Sequence, residues 1–363
     1  MPGHDAGGNV PRVRLTLAGP GDFDFRSAVC SHGFFVLAPN AWDPDRRTLS
    51  TVITLDNETA VPVAICETKS GNVSVRSRAT LAPGQRAGVR SAVRRMLRLD
   101  EDLSGFHERC RRCSSYRRAA DLRFGRLLRS TSLFEDIVKV ICTCNVTWSQ
   151  TVAMVDRIVS AWGVPASDHH ALRGFPTPQR LARVRPAALK RTARVGYRAD
   201  FICRLVRDVV AGTLDLEAIE RFSGAKPRAV DDAPSPALSS RNPDGGPCMQ
   251  NPSQLSDRLY KMLRRIPGVG DYAAAHLCML LGRYDRLAVD TEMVRFFKHR
   301  HPRQRFTPAS IRACYDRWHP YQFLAYWFDL WGDYTDRHGE ADQWRPADVG
   351  RRITSQRRPS PVR

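Results

Sequence analysis

The residue types best suited to chemistry lie in Ile266-Pro267-Gly268-Val269-Gly270-Asp271-Tyr272 and in Val289-Asp290, twenty residues beyond Gly270. Gly268 and Gly270 can take positive φ and carry no side chain to hold a partner off. The N–H groups of such a turn, at a helix N-terminus, form an anion site that approaches a phosphate closely. Asp290 precedes Thr291-Glu292-Met293-Val294-Arg295-Phe296-Phe297, a helical-looking run, and reads as its N-cap. The same placement makes the carboxylate rigid, and N–H donors with the helix dipole favour its anion, so Asp290 is expected to stay ionised. An ionised carboxylate beside a sugar can stabilise an oxocarbenium-like cation as a leaving group departs, and can orient an attacking water. Cap and catalyst are compatible roles, and position alone does not separate them.

The elements that must hold these residues are legible from local pattern. Leu255, Leu259, Met262, Leu263 and Ile266 have helical spacing, and Pro267 stops the run. Asp271 is a natural N-cap for a helix from Tyr272 to Leu281, with Gly282 at its C′ position. An ordinary αα-hairpin with a glycine turn gives the same pattern. Upstream, Ile137, Val138 and Ile141 share one helical face, while Thr147 or Ser149 can cap a helix carrying Val152, Val155, Val159 and Trp162, ended by Gly163. Between them, Cys144-Asn145-Val146-Thr147-Trp148 reads as a polar turn.

Residues 11 to about 82 differ from the remainder. Phe34-Phe35-Val36-Leu37, Thr51 to Leu55, Val61 to Ile65 and Asn72 to Val75 are short β-rich runs, with one short helix expected over Asp24 to His32. The expected class is therefore α+β. A small antiparallel sheet domain with flanking helices (11–90) precedes a mostly helical body (91–221 and 255–345). A Pro/Gly/Ser-rich insertion (222–254) interrupts the body, and a basic tail (346–363) follows it.

Charge points to a polyanionic partner. The 363 residues hold 57 Lys and Arg against 37 Asp and Glu, a net charge of +20. Such a field supplies sequence-independent affinity for nucleic acid. Arg dominates the basic residues, so compositional bias accounts for part of this excess, and no basic run is assigned a contact. No apolar run is long enough to span a bilayer and no signal-peptide core is visible, so the expectation is an intracellular protein without a membrane partner. The ten Cys fit reduced thiols. His107-x2-Cys110-x2-Cys113 lacks a second pair of matching spacing, so no metal site is expected.

The segment from about Leu133 to Trp331 resembles the helix-hairpin-helix DNA glycosylase superfamily, whose shared pattern is this hairpin followed by an essential Asp. Within it, the chain looks closest to the branch of 8-oxoguanine DNA glycosylase and 3-methyladenine DNA glycosylase II. Leu133-Phe134-Glu135-Asp136-Ile137 looks like that branch's first core helix, Gly196-Tyr197-Arg198-Ala199 resembles its Gly-Tyr-Arg-Ala segment, and Trp318-His319-Pro320-Tyr321 resembles the entry to its late core helix. The resemblance implies a monomer acting on double-stranded DNA, with Asp290 catalytic and Gly268, Val269 and Gly270 gripping phosphate. It implies that Asn145 fills the gap left by an extruded base, that Val146 supports unstacking, and that Tyr197 wedges near the orphaned base. Base extrusion costs a few kcal/mol, which such residues must offset. Tyr272, His276 and Leu280 would face the extruded base from one wall, and Tyr326 and Leu330 from the other.

Departures from the family pattern refine the expectation. Bifunctional members carry a nucleophilic Lys at the second residue after the hairpin's last Gly, and this chain has Tyr272 there. That implies a monofunctional enzyme using water to hydrolyse the N-glycosidic bond of a damaged or mismatched base in base excision repair, with an alkylated or oxidised purine favoured. Tyr at this position also occurs in thymine–guanine mismatch glycosylases. Tyr326 stands where the 8-oxoguanine enzymes use Gln, and an aromatic wall there suits a cationic alkylated purine. Only Cys314 follows Asp290, too few for the iron–sulfur cluster of other branches. No cofactor is required, beyond a sodium or potassium ion that hairpin carbonyls would hold. The alternatives are a non-catalytic lesion-binding protein and a glycosylase with strand-cleaving activity. The expected location is with the DNA, in a bacterial cytoplasm or nucleoid, or in a nucleus.

Overall fold

A computed structural model describes residues 12–166, 169–224, 252–345 and 348–349. Seven strands make one sheet: β1 (Val13–Leu17), β2 (Ala41–Asp43), β3 (Thr48–Thr54), β4 (Ala60–Glu67), β5 (Val73–Ser77), β6 (Val164–Ala166) and β7 (His169–Gly174). The order β1-β5-β4-β3-β2 is antiparallel throughout, while β6 pairs parallel with β4 at Ala60↔Ala166 and antiparallel with β7. Alternation sets the faces: Val13, Leu15 and Leu17 are buried, while Arg14 and Thr16 point outward.

The α+β organisation is as expected, with two differences. Phe34-Phe35-Val36-Leu37 is not a strand; Gly33–Val36 is a 3₁₀ turn in which Phe34, Phe35 and Val36 are all buried. A continuous apolar run has no polar face to alternate, and here the backbone bends to bury every side chain. Asn40 Nδ2 donates to the Phe34 carbonyl at 3.0 Å and holds the bend. Secondly, β6 and β7 come from the half read as helical and extend the N-terminal sheet, so the sheet is shared between both parts of the chain.

Helical boundaries follow local signals. Ser132 caps the helix Leu133–Thr143 by accepting from Glu135 N. Thr147 caps the helix Trp148–Trp162, with Gln150 returning to the Thr147 N–H at 2.9 Å. One helix, Pro83–Leu97, runs across the expected 90/91 boundary. Residues 225–251 of the expected insertion lie outside the described residues; Leu216–Phe222 is helical before them and Pro252–Arg264 after them. The tail lies outside them too, apart from 348–349.

One apolar cluster runs through both parts. Trp327 Nε1 donates to the Ser31 carbonyl at 2.8 Å, and Trp42 Nε1 donates to the Asp342 carbonyl at 2.8 Å. In the first turn of the Leu133–Thr143 helix, buried Asp136 pairs with Arg95 at 2.9 Å and accepts from Ser130 N at 2.7 Å. Arg95 and Arg129 also pair with Glu220, at 3.0 and 2.6 Å. Together these contacts satisfy a carboxylate that burial would otherwise penalise heavily.

Candidate active site

The hairpin joins the helices Pro252–Arg264 and Asp271–Leu280. Gly268 has φ +81°, and a Cβ added there would lie 2.7 Å from Phe201 Cβ, so both conformation and space require glycine. Val269 N donates to the Ile266 carbonyl at 3.0 Å and closes the turn. Asp271 is not the cap: Gly270 holds that position and Asp271 is the first helical residue. Its carboxylate accepts instead from Tyr260 Oη at 2.7 Å and pairs with Arg264 Nε at 2.7 Å. These partners, Tyr260 first, hold its pKa below the ordinary value. The first N–H groups of this helix have no intrahelical partner. Gly270 has no atom within 4 Å of an added Cβ, so this side of the turn is open to a ligand.

Asp290 caps the helix Thr291–Arg300, its Oδ1 accepting from Met293 N at 2.7 Å. The N–H donors favour its anion, as expected, but do not set the balance: its pKa is raised above the ordinary 3.8 rather than lowered. Burial is the larger effect, the Met293 hydrogen bond opposes it, and the charge of Glu292 adds to the rise. A carboxylate pushed towards neutrality stabilises a neighbouring cation more strongly than a well-solvated one does.

A cleft of about 2210 Å³ brings the two features together. The hairpin and Asp290 line it with Asn145, Val146 and Tyr197 from the body's first loops. Tyr272, His276, Tyr326 and Leu330 line it as well, so the structure gathers every expected site residue except one. Leu280 lies in the core, fully buried and away from the cleft. Eight residues beyond Tyr272, it is turned about 80° around the helix and carried roughly 12 Å along it.

Sequence reading missed much of the aromatic lining. Phe323, Trp327 and Trp331 follow at four-residue spacing on the helix Gln322–His338 and stack in a ladder, with centroids 5.5 and 5.9 Å apart and planes within 16° and 24°. The spacing i, i+4, i+8 was the available signal. Opposite, the Tyr272 and His276 rings lie 5.5 Å apart, and His276 meets Phe323 edge-on at 6.3 Å. Burial pushes His276 down to about 3, with nearby His32 adding to the fall, so the imidazole is neutral at physiological pH. The Tyr272 phenol is held above its ordinary range by burial and then by the charge of Asp290.

Arg198, also missed as a site residue, ties the loop to the wedge. Only 5% exposed, it stacks beneath the Tyr197 ring at 4.6 Å, donates to the Val195 carbonyl at 3.2 Å and reaches the Cys144 carbonyl. Asn145, at φ +54°, donates from Nδ2 to Tyr197 Oη at 3.2 Å. The two expected DNA-facing side chains thus form one unit anchored on a buried cation. Arg198→Met keeps the stem but leaves the Cys144 carbonyl without its donor, a loss of about 1–3 kcal/mol. We expect a folded protein whose affinity for duplex carrying an abasic analogue falls about tenfold, read by fluorescence anisotropy.

His107, the expected non-ligand, uses Nε2 on the Phe124 carbonyl at 2.8 Å. Among the described residues, no group of three or more His, Cys, Asp or Glu is arranged to hold a metal ion, and no helix is long and apolar enough to cross a membrane.

No family model matches the sequence. DNA-3-methyladenine glycosylase 2 of Escherichia coli (strain K12) is 25% identical over 206 residues, 56% of this chain. The match spans 60% of that relative's length. Among solved structures, the 3-methyladenine DNA-glycosylase of Archaeoglobus fulgidus superposes with a TM-score of 0.62 at 16% identity, covering 90% of this chain and 99% of that one. The 8-oxoguanine glycosylase/lyase of Clostridium acetobutylicum, bound to double-stranded DNA with cytosine opposite 8-oxoguanine, gives 0.58 at 14% identity, covering 88% and 93%. The chain therefore shares the fold of these DNA glycosylases, in keeping with the resemblance to the helix-hairpin-helix superfamily carried by its sequence.

Proposed function

We propose that the protein is a monofunctional DNA N-glycosylase of base excision repair, a monomer that acts on double-stranded DNA in the compartment holding the genome. The observation that carries this reading is the Asp290 carboxylate, capped on one side by Met293 N and set in the wall of an aromatic cleft beside a phosphate-competent hairpin. The hairpin N–H groups grip a phosphate, while Asn145, Val146 and Tyr197 occupy the gap left by the extruded base. As the glycosidic bond lengthens, positive charge grows on the sugar. Ionised Asp290 lies against it and orients the water that completes hydrolysis.

Two features favour an alkylated, cationic purine over a neutral oxidised one. The Phe323–Trp327–Trp331 ladder and the Tyr272 ring offer π-faces to a cation. His276 is uncharged and adds no opposing positive charge to that wall. The test is incubation with duplexes bearing an alkylated adenine, 8-oxoguanine or a thymine–guanine mismatch, followed by analysis of the released bases. We expect fastest release from the alkylated duplex. The Tyr272 phenol, kept protonated, has no amine with which to form a Schiff base. Borohydride added during turnover is therefore expected to trap no covalent protein–DNA adduct; a trapped adduct would show lyase chemistry from another residue.

A further inference from the structure

A cation held by hairpin carbonyls, which the fold family implies, does not fit this chain, because a guanidinium is already placed at one of those oxygens. The Val269 carbonyl already accepts from Arg264 Nη1 at 2.7 Å, the Ile266 carbonyl accepts from Val269 N at 3.0 Å, and the Gly270 carbonyl accepts from Ala274 N at 2.9 Å. Arg264 sits at the last position of the helix Pro252–Arg264, where its guanidinium folds over the turn. Its Nε pairs with Asp271 at 2.7 Å, and Tyr260 Oη donates to the same carboxylate oxygen at 2.7 Å. One planar fork thus spans both sides of the hairpin, a geometry that guanidinium allows and a compact ammonium does not.

We propose that Arg264 is a built-in cation of the hairpin, replacing the monovalent ion by bridging the Val269 carbonyl to the Asp271 carboxylate. Two consequences follow. A metal ion at the Val269 carbonyl would stand beside a permanent positive charge, and the two would repel. The fork also neutralises Asp271, a carboxylate at the first helical position that would otherwise repel a phosphate at the neighbouring N–H groups. Arg264 is therefore a positioning residue: it shapes the turn and clears its charge without needing to touch DNA. Its effect on DNA rests on the glycosylase reading above; its effect on the turn does not.

The experiment separates the two. Thermal unfolding of the ligand-free full chain is measured in potassium, sodium and tetramethylammonium chloride at equal ionic strength, the last ion being too large to enter a ring of carbonyls. Wild-type protein is expected to melt at the same temperature in all three within about 1 °C, because no ion binds selectively to the folded hairpin. Arg264→Ala exposes the Val269 carbonyl on a side chain already 41% exposed, so the fold is expected to persist. This variant should melt higher in potassium or sodium than in tetramethylammonium. Wild-type protein stabilised by the small ions overturns the proposal, and so does an Arg264→Ala chain indifferent to them. Duplex binding is the second readout: wild-type affinity should match across the three salts, whereas Arg264→Ala should bind about tenfold more weakly in tetramethylammonium than in potassium. Wild-type protein that melts as expected but binds duplex in none of the salts overturns the glycosylase reading and leaves the hairpin cation standing.

Discussion

Asp290→Asn is expected to slow base release about 10²- to 10⁴-fold while duplex affinity holds or tightens and the protein melts at a higher temperature. The three outcomes have separate origins. Rate falls because the amide carries no charge to set against the developing sugar cation. Affinity does not fall, because a negative charge near the DNA backbone has been removed and the hairpin is untouched. Stability rises because Asn accepts the Met293 N–H as a cap about as well as Asp does, yet carries no charge that burial penalises.

The sign of the last effect follows from the raised pKa. A carboxyl group whose folded-state pKa lies above its unfolded value binds protons more readily when folded. Its contribution to stability is fully present below the unfolded value and is lost as pH rises through the folded one. At neutral pH, ionised Asp290 is therefore a standing cost. The same direction fixes the rate profile: release should fall on acidification along a limb centred above 3.8, the ordinary value for Asp. Single-turnover release of a lesion across acid pH, beside melting curves of wild type and Asp290→Asn, checks both. A variant with undiminished release, or one that melts lower at neutral pH, would remove Asp290 from the proposed role.

What the sequence revealed and concealed divides along physical lines. The hairpin and the Asp290 cap were legible because each is a local matter: a proline stop, glycines at a turn, an N-cap before an apolar period. The Thr147 cap and Gly282 at the helix end were legible for the same reason. Phe34 to Leu37 was misread because four successive apolar residues carry no period, and packing chose a 3₁₀ bend over a strand. β6 escaped notice because its three residues carry no alternation of their own and take their partners from β7 and from Ala60, more than a hundred residues away. Competition with distant groups also defeated two readings at the site. Asp271 gave up the capping role to pair with Tyr260 and Arg264 on the preceding helix. Burial overrode the capping hydrogen bond in setting the Asp290 pKa. Both depend on what the folded chain packs nearby, which no local window contains.

Gly268→Ala and Gly270→Ala should differ in kind, although the two glycines lie two residues apart in one turn. At Gly268 the backbone stands at φ +81°, and the new Cβ would meet Phe201 Cβ at 2.7 Å and Cγ at 2.8 Å. Phe201 Cβ is one bond from its own backbone, so no rotamer change relieves the contact; the helix Arg198–Val210 or the hairpin must shift. Left-handed strain alone costs about 1–3 kcal/mol, and the displacement adds to it. Gly268→Ala should therefore lower both the unfolding free energy and duplex affinity. Arg198 stands on the same helix, so the Asn145–Tyr197 unit should be disturbed as well. At Gly270, φ is −79° and an added Cβ meets nothing within 4 Å. Gly270→Ala should leave the melting temperature unchanged, because alanine adopts that conformation without strain. Its methyl group would instead stand in the open approach to the helix N-terminus and hold a phosphate off the N–H groups, weakening duplex binding on the order of tenfold. Melting curves and anisotropy titrations of the two variants decide the matter. Equal losses of stability, or a Gly270→Ala protein with wild-type affinity, would show that this face of the hairpin does not meet the DNA backbone.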